Sequence, residues 1–249
     1  MTIGRRELML AGLGAGLAVV GPRLVVAREM RAHDVMPGDG VADQTTALQD
    51  AANAAARSGA PLRLAAGTYS TGRLNLKSGT HIQGVPGRTI LRYRSGGAIL
   101  STEETDNVRL SGLVLDGGGQ PLGQDGALLK ATGASHLNIS DCRFMGSSEG
   151  GVVLRRVAGR IADCEIGDIG KTALFSEDAR GLEIAHSHVH DCGDNGILIW
   201  RSKIGEDGTI VTSNRIERIA AKSGGNGQNG NGINIFRADS VVVSANSIT

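Results

Sequence analysis

The sequence predicts an all-β solenoid, in which short strands wind into stacked coils behind one N-terminal helix. Three observations predict it. Glycine is abundant, 38 of 249 residues, while proline numbers only 5 and aromatic content is 2%, a balance that places a turn after nearly every short element and does not suit a disordered chain. Apolar alternation of period two recurs in segments spaced by twenty to thirty residues, as expected where each repeat is one coil. Helical periodicity is confined to one segment near the N-terminus.

Residues 1–27 read as an address. Arg5 and Arg6 precede an uncharged stretch from Leu8 to Val20, about 13 residues, short of the roughly 20 needed to span a bilayer. Pro22 interrupts it, and Ala27 supplies a small residue suited to cleavage. The segment resembles a twin-arginine export signal, with Gly4 and Leu8 in place of the usual Ser or Thr and Phe. The resemblance implies passage through the twin-arginine machinery as a folded protein, and a place of work in the periplasm or outside the cell.

A linker, 28–37, leads into the domain, 38–249. Leu48, Ala51, Ala52 and Ala55 fall at i, i+3, i+4 and i+7, one apolar helical face. Asp43 is the expected N-cap and Gly59 the expected stop. The alternations "LRLAAGTY", "LNLKSGTHIQG" and "TILRY" follow as strands.

Six later segments align beneath one another: "NVRLSGLVL", "HLNISDCRF", "GRIADCEI", "LEIAHSHV", "TIVTSNRI" and "VVVSANSI". One column reads Leu113, Cys142, Cys164, Ser187, Asn214, Asn246, at steps of 29, 22, 23, 27 and 32 residues. Two places on, Leu115, Phe144, Ile166, Val189, Ile216 and Ile248 are all apolar. A second register, "DGALL", "GGVVL", "KTALF", "NGILI" and "NGINI", predicts an inward file of Ala127, Val152, Ala173, Ile197 and Ile233. The next file is Leu129, Leu154, Phe175, Ile199 and Ile235. Cys142 and Cys164 share an inward column and are read as a buried thiol stack, with a disulfide as the alternative; Cys192 falls in a loop.

"GDGVADQTTALQDA", the helix, "LAAGTY" and "LKSGTHIQGVPGRTIL" resemble the opening of the pectate-lyase-like right-handed parallel β-helix superfamily. That resemblance implies a right-handed single-stranded parallel β-helix plugged by the helix. It implies no particular reaction, because lyases, hydrolases, epimerases and phage tailspikes share the fold. With its paired arginines the whole chain also resembles the twin-arginine-translocated β-helix repeat proteins, whose reaction is unassigned.

Net charge is +1, so nothing points to nucleic acid or an anionic membrane surface. The chemistry-bearing residues are local. In "HSHVHDCGDNGILIW" the inward Ser187 and Val189 make His186, His188 and His190 face outward together. His-x-His spacing lets His186 and His188 converge on one divalent cation such as Zn²⁺ or Cu²⁺; a solvated outer face is the plainer reading. In polygalacturonase-like β-helices the acids stand where such strands begin, and here those places hold Asp125, Glu149, Lys171 and Asp194. Asp125 and Glu149 fall one coil apart, within range of the carboxyl separations used in hydrolysis. The sequence nevertheless has "QDG" where "NTD" would stand, and no "GHG" or "DPHD". The expected outward column after the second register is Lys130, Arg155, Ser176, Trp200 and Phe236, with Arg156, Arg201 and Arg237 at the strand ends. Trp200, the single tryptophan, suits a sugar ring. "SGGNGQNGNG" lengthens the following coil and reads as a lid or a tolerated insertion.

The sequence therefore points to a secreted protein acting on a polysaccharide by elimination or hydrolysis. His188 or His190 would serve as base, Asp194 or Glu149 as acid or cation ligand, and Arg201 as carboxylate clamp. Trp200, Arg155 and Asp125 would hold substrate. Two alternatives stand beside it: a non-catalytic glycan-binding or envelope protein, and a metal-binding periplasmic module. "VVVSANSIT" begins a coil that is under half built, from which a longer solenoid or a covering partner at that end is expected.

Overall fold

The computed structural model describes residues 35–123, 126–225 and 227–249; the export-like segment 1–27 and Asp125 lie outside the described residues. Every strand pair is parallel, each coil visiting three sheets in turn. One coil shows the plan: Arg143–Ser147 in the first sheet, Gly150–Arg155 in the second, Gly159–Ala162 in the third, then Glu165–Ile169 back in the first. Among the described residues the three sheets hold nine, seven and eight strands.

The helix Thr45–Ser58 closes the N-terminal end, burying Leu48, Ala51, Ala52 and Ala55. Asp43 stands one place before the N-cap Gln44, yet it still steadies the first turn. Its carboxylate accepts from the Thr45 amide at 2.9 Å and hydroxyl at 2.6 Å. Gly59 ends the helix in the left-handed region at φ 69°, where a Cβ would be strained.

The first sheet has the register expected: Leu115, Phe144, Ile166, Val189, Ile216 and Ile248 lie directly over one another. All but the terminal Ile248 are buried. The column beside it is a turn ladder. Asp141, Asp163, His186, Ser213 and Ala245 each take φ between 50° and 56° at one corner, a bend that directs the following side chain inward. There the Asn214 carboxamide accepts from the Ser187 amide at 2.9 Å, and Asn246 accepts from the Asn214 amide at 2.9 Å. Buried backbone amides are thus satisfied side chain by side chain up the stack. Cys142, Cys164 and Cys192 are free thiols and buried, Cys192 included, although it was expected in a loop.

The second sheet departs from the expected register. The observed inward file is Leu100, Leu129, Val152, Leu174, Ile197 and Ile233, followed by Thr102, Ala131, Leu154, Ser176, Ile199 and Ile235. Alignment of "KTALF" was therefore one residue out, and that of "DGALL" two. A one-residue slip exchanges faces: Leu174 and Ser176 point inward and Phe175 outward. The run Ala173-Leu174-Phe175 is apolar throughout, so alternation gave no signal to fix its phase.

Candidate functional site

The corrected register defines the outer face of the second sheet. One outward column is Asn75, Ser101, Lys130, Val153, Phe175, Leu198 and Asn234; the next is Glu103, Thr132, Arg155, Glu177, Trp200 and Phe236. Lys130 and Ser176 thus do not share the column of Arg155 and Trp200; Thr132 and Glu177 stand there instead. Phe175, Trp200 and Phe236 form an aromatic run along the solenoid axis. Their ring centroids lie 6.4 and 6.2 Å apart, and Trp200 is nearly parallel to Phe236 at 8°. The Arg237 guanidinium lies 4.8 Å above the Phe236 ring.

Towards the N-terminal end the same face opens into a cleft of about 1100 Å³, walled by the end of the helix on one side. Arg57 from the helix, and Arg73 and Lys77 flanking the strand Leu74–Leu76, line it together with Lys130, Arg155 and Glu103. Within the cleft Arg155 reaches Glu177 on the next coil at 2.6 Å, and elsewhere along the solenoid Arg92 reaches Asp116 at 3.0 Å, Arg143 Glu165 at 3.0 Å and Arg160 Glu183 at 3.1 Å in the same way. Among the described residues, no ion pair or side-chain hydrogen bond engages Arg57, Arg73 or Lys77. Three uncompensated cations facing one concavity make a field that concentrates anions. Sequence reading missed all three, because they come from separate elements that only the stacked coils bring together.

The histidines lie on a different side, the outer face of the first sheet. His186 sits at the left-handed corner, φ 50°, and is not on the strand; it lines a concavity together with His188. His188 and His190 do face outward, with ring centroids 4.4 Å apart. His190 is only 8% exposed, because its ring lies flat over Gly167 on the coil below, where a Cβ would come within 2.3 Å of it. Carboxylates occupy the ring nitrogens: His190 Nδ1 meets Asp191 at 2.7 Å and Nε2 meets Glu165 at 3.4 Å, while His188 Nε2 meets Glu217 at 3.1 Å. Arg218 binds both Asp191 and Glu217, and Arg215 binds Glu217. The bonds from Arg218, then Arg215, pull the Glu217 carboxyl down to about 2. Among the described residues, no group of three or more His, Cys, Asp or Glu is placed to hold a metal. The arrangement is a charge-paired lattice that staples three coils.

The remaining candidates scatter. Asp194, expected to face outward, is 5% exposed. It anchors the Gly/Asn loop, accepting from the Ser223 amide and hydroxyl at 2.8 Å each. Glu149 pairs with Lys171 at 2.6 Å at the corner between first and second sheets. Arg201 lies at the opposite corner, facing the buried Asp207 at 3.8 Å. Of the described residues expected to work together, the structure thus gathers Arg155 and Trp200 on the outer face of the second sheet and His188 and His190 on that of the first.

A family model described as right handed beta helix region matches residues 125–249, half of the chain. The chain belongs to the right-handed β-helix family. No curated protein matches it in sequence. Among solved structures it is similar to the pre-mature gene product 12 of bacteriophage phi29 (19% identity, TM-score 0.59), covering 84% of this chain but only 32% of that one. It is also similar to the mannuronan C-5 epimerase AlgE6 A-module of Azotobacter vinelandii (18% identity, TM-score 0.57; 84% and 72% covered). A third likeness is to a putative glycosyl hydrolase of Parabacteroides merdae (12% identity, TM-score 0.51; 84% and 90% covered). At these identities the likeness establishes the fold of this β-helix protein.

Proposed function

We propose that this chain is an exported β-helix protein that holds an acidic polysaccharide along the outer face of its second sheet. The observation that carries the reading is the cleft in which Arg57, Arg73 and Lys77 stand without ion-pair partners among the described residues and outnumber the single carboxylate, Glu103, continuous in the sheet with the aromatic run. Seven strands at about 4.8 Å spacing give a face roughly 29 Å long, long enough for several sugar units. Cations neutralise the uronate carboxylates and aromatic faces accept the rings. β-Helices named for action on mannuronan and glycosides support the choice of ligand, and Arg5 and Arg6 support export by the twin-arginine route.

Elimination fits this cleft better than hydrolysis. Hydrolysis uses two carboxyl groups, and among the described lining residues Glu103 is the one carboxylate. Elimination uses a basic side chain to take the proton beside the carboxyl group, with cations to stabilise the resulting charge; the C4–O bond then breaks as the C4=C5 double bond forms, and the leaving oxygen takes up a proton from the protonated base or water. The same single carboxylate favours a second reading, retention of the polymer without turnover.

The test is a panel of uronate polymers and neutral glucans with the purified protein. Uronate polymers are expected to bind with strong salt dependence, and the Arg57→Ala/Arg73→Ala/Lys77→Ala variant to lose at least tenfold in affinity. An unsaturated, ultraviolet-absorbing product marks elimination, and binding without product marks retention. Equal affinity for neutral glucans, or an unaltered triple variant, would overturn the proposal.

A further inference from the structure

A second concavity, about 520 Å³, lies at the corner between second and third sheets and shares no lining residue with the first. The long strand Asn195–Glu206 runs past Trp200 into it and supplies Arg201 and Lys203; Arg180 lines the neighbouring coil. Its volume lies in the range of small-ligand sites, roughly 300–1,000 Å³.

Two details single out Arg201. The first is behind it. Asp207 is fully buried; Thr209 donates to its Oδ1, but Oδ2 has no hydrogen-bond partner and faces Arg201 Nη1 at 3.8 Å. A desolvated carboxylate needs a compensating charge, and Arg201 is the cation within ion-pair distance. The second detail is how little of the guanidinium is used. Nε reaches the Lys203 carbonyl and Nη1 the Ala179 carbonyl, each at 3.4 Å, the long limit for such bonds. Nη2 has no partner among the described residues. Asp207 therefore fixes the charge in place without occupying its fork.

The other charges in the cleft divide in the same sense. The Asp178 carboxylate is taken by the Ser202 amide at 3.0 Å and hydroxyl at 2.8 Å, and Arg156 by Glu104 at 3.0 Å. Arg180 and Lys203 are left, opposed by the exposed Glu206. Trp200 precedes Arg201 on the same strand and is stacked with Phe236 of the next coil, and Arg237 ties the two coils by donating to the Ser202 carbonyl at 3.3 Å.

We propose that this corner cleft is a separate binding site for a single sugar acid, whose carboxylate is received bidentately by Arg201 while the sugar ring lies towards Trp200. Asp207 is a positioning residue. The planar fork favours carboxylate over a tetrahedral anion, and the cations at the rim favour a charged sugar over a neutral one.

The probe is glucuronate, titrated into the full-length protein and followed by amide chemical shifts, with glucose and sulfate alongside. Saturable binding is expected for glucuronate, with shifts centred on residues 201–208, and none for glucose. Arg201→Lys keeps a charge opposite Asp207, so its unfolding midpoint should hold while glucuronate affinity falls at least tenfold. The Arg73→Ala variant, which weakens polymer binding in the first cleft, should bind glucuronate as the wild type does; this separates failure of one site from failure of the other. No glucuronate binding, undiminished binding by Arg201→Lys, or sulfate binding as tightly as glucuronate would each overturn the proposal.

Discussion

Replacing Asp194 tests whether that residue is structural, as its surroundings indicate. The residue is 5% exposed, and its carboxylate accepts two hydrogen bonds from Ser223, each 2.8 Å. The backbone around it is also bonded: Lys222 donates to the Gly193 carbonyl at 2.7 Å and Gly230 to the Asp194 carbonyl at 2.5 Å. A hydrogen bond to a charged group contributes about 1.5–3 kcal/mol, so removing both sets an upper bound of about 3–6 kcal/mol. The observed loss for Asp194→Ala should be smaller, about 1.5–3 kcal/mol. Residues 223–225 and 227–228 are exposed, and the loop can detach locally before the coil unfolds. In Asp194→Asn the carboxamide oxygen still accepts from the Ser223 amide, and the loss should be about 1 kcal/mol. The assay is urea unfolding combined with hydrogen exchange. At about 2–4 °C per kcal/mol for a domain of this size, the alanine variant should also melt several degrees lower. Faster exchange should be confined to Ser223 and Gly230. An alanine variant with wild-type stability and protection, but lost polysaccharide turnover, would refute this reasoning and return Asp194 to the active-site candidates.

Three further outcomes follow from the same structure. Burial pushes the Cys142, Cys164 and Cys192 thiols up to about 12, so a thiol-specific reagent should leave all three unmodified until denaturant is added; rapid labelling of the native protein would show the column to be open. Glu217, held at about 2 against an ordinary 4.5 by Arg218 and Arg215, lends stability that is complete above about 4.5 and is lost as pH falls through about 2. The urea midpoint should therefore drop across that window, and drop less in Arg218→Ala; identical profiles would remove the network from the account. Gly167→Ala places a methyl group against the His190 ring, and overpacking of this kind costs about 1–3 kcal/mol, which His190→Ala should largely relieve in the double variant.

The fold was legible because the first sheet repeats without ambiguity. Ile166, Val189 and Ile216 have no large apolar neighbour on either side, and they fix the phase for Leu115 and Phe144, which each have one, Val114 and Met145. The second sheet was legible in existence but not in phase, since Ala173, Leu174 and Phe175 are apolar in succession. Site residues suffered accordingly. Trp200 and Arg155 were placed on the right face, but Phe175 was assigned inward and Ser176 outward. His188 and His190 were rightly set outward, yet their partners Glu165 and Glu217 lie on neighbouring coils, 23 and 29 residues from His188, and local motif reading does not cross that distance. Asp194 resembled a catalytic acid by its position before a strand; only the loop that folds onto it shows it to be an anchor. Arg57, Arg73 and Lys77 carry no motif at all.

The uneven coil lengths shape the outer face of the second sheet. The extra residues of the last two long coils are spent at opposite margins of the same strands, the Gly/Asn loop before Asn231–Asp239 and the Arg201–Glu206 extension after Trp200. The loop does not lean away, for the Asn234 side chain on the outer face donates to its Gln228 carbonyl at 3.1 Å. The aromatic end of the face is therefore kerbed on both sides while the cationic end is walled by the helix alone. If the proposed polymer lies in this trough, a linear chain would fit along its whole length and a branched one would seat its side groups over the first coils, so affinity would depend on where along the polymer the branches fall.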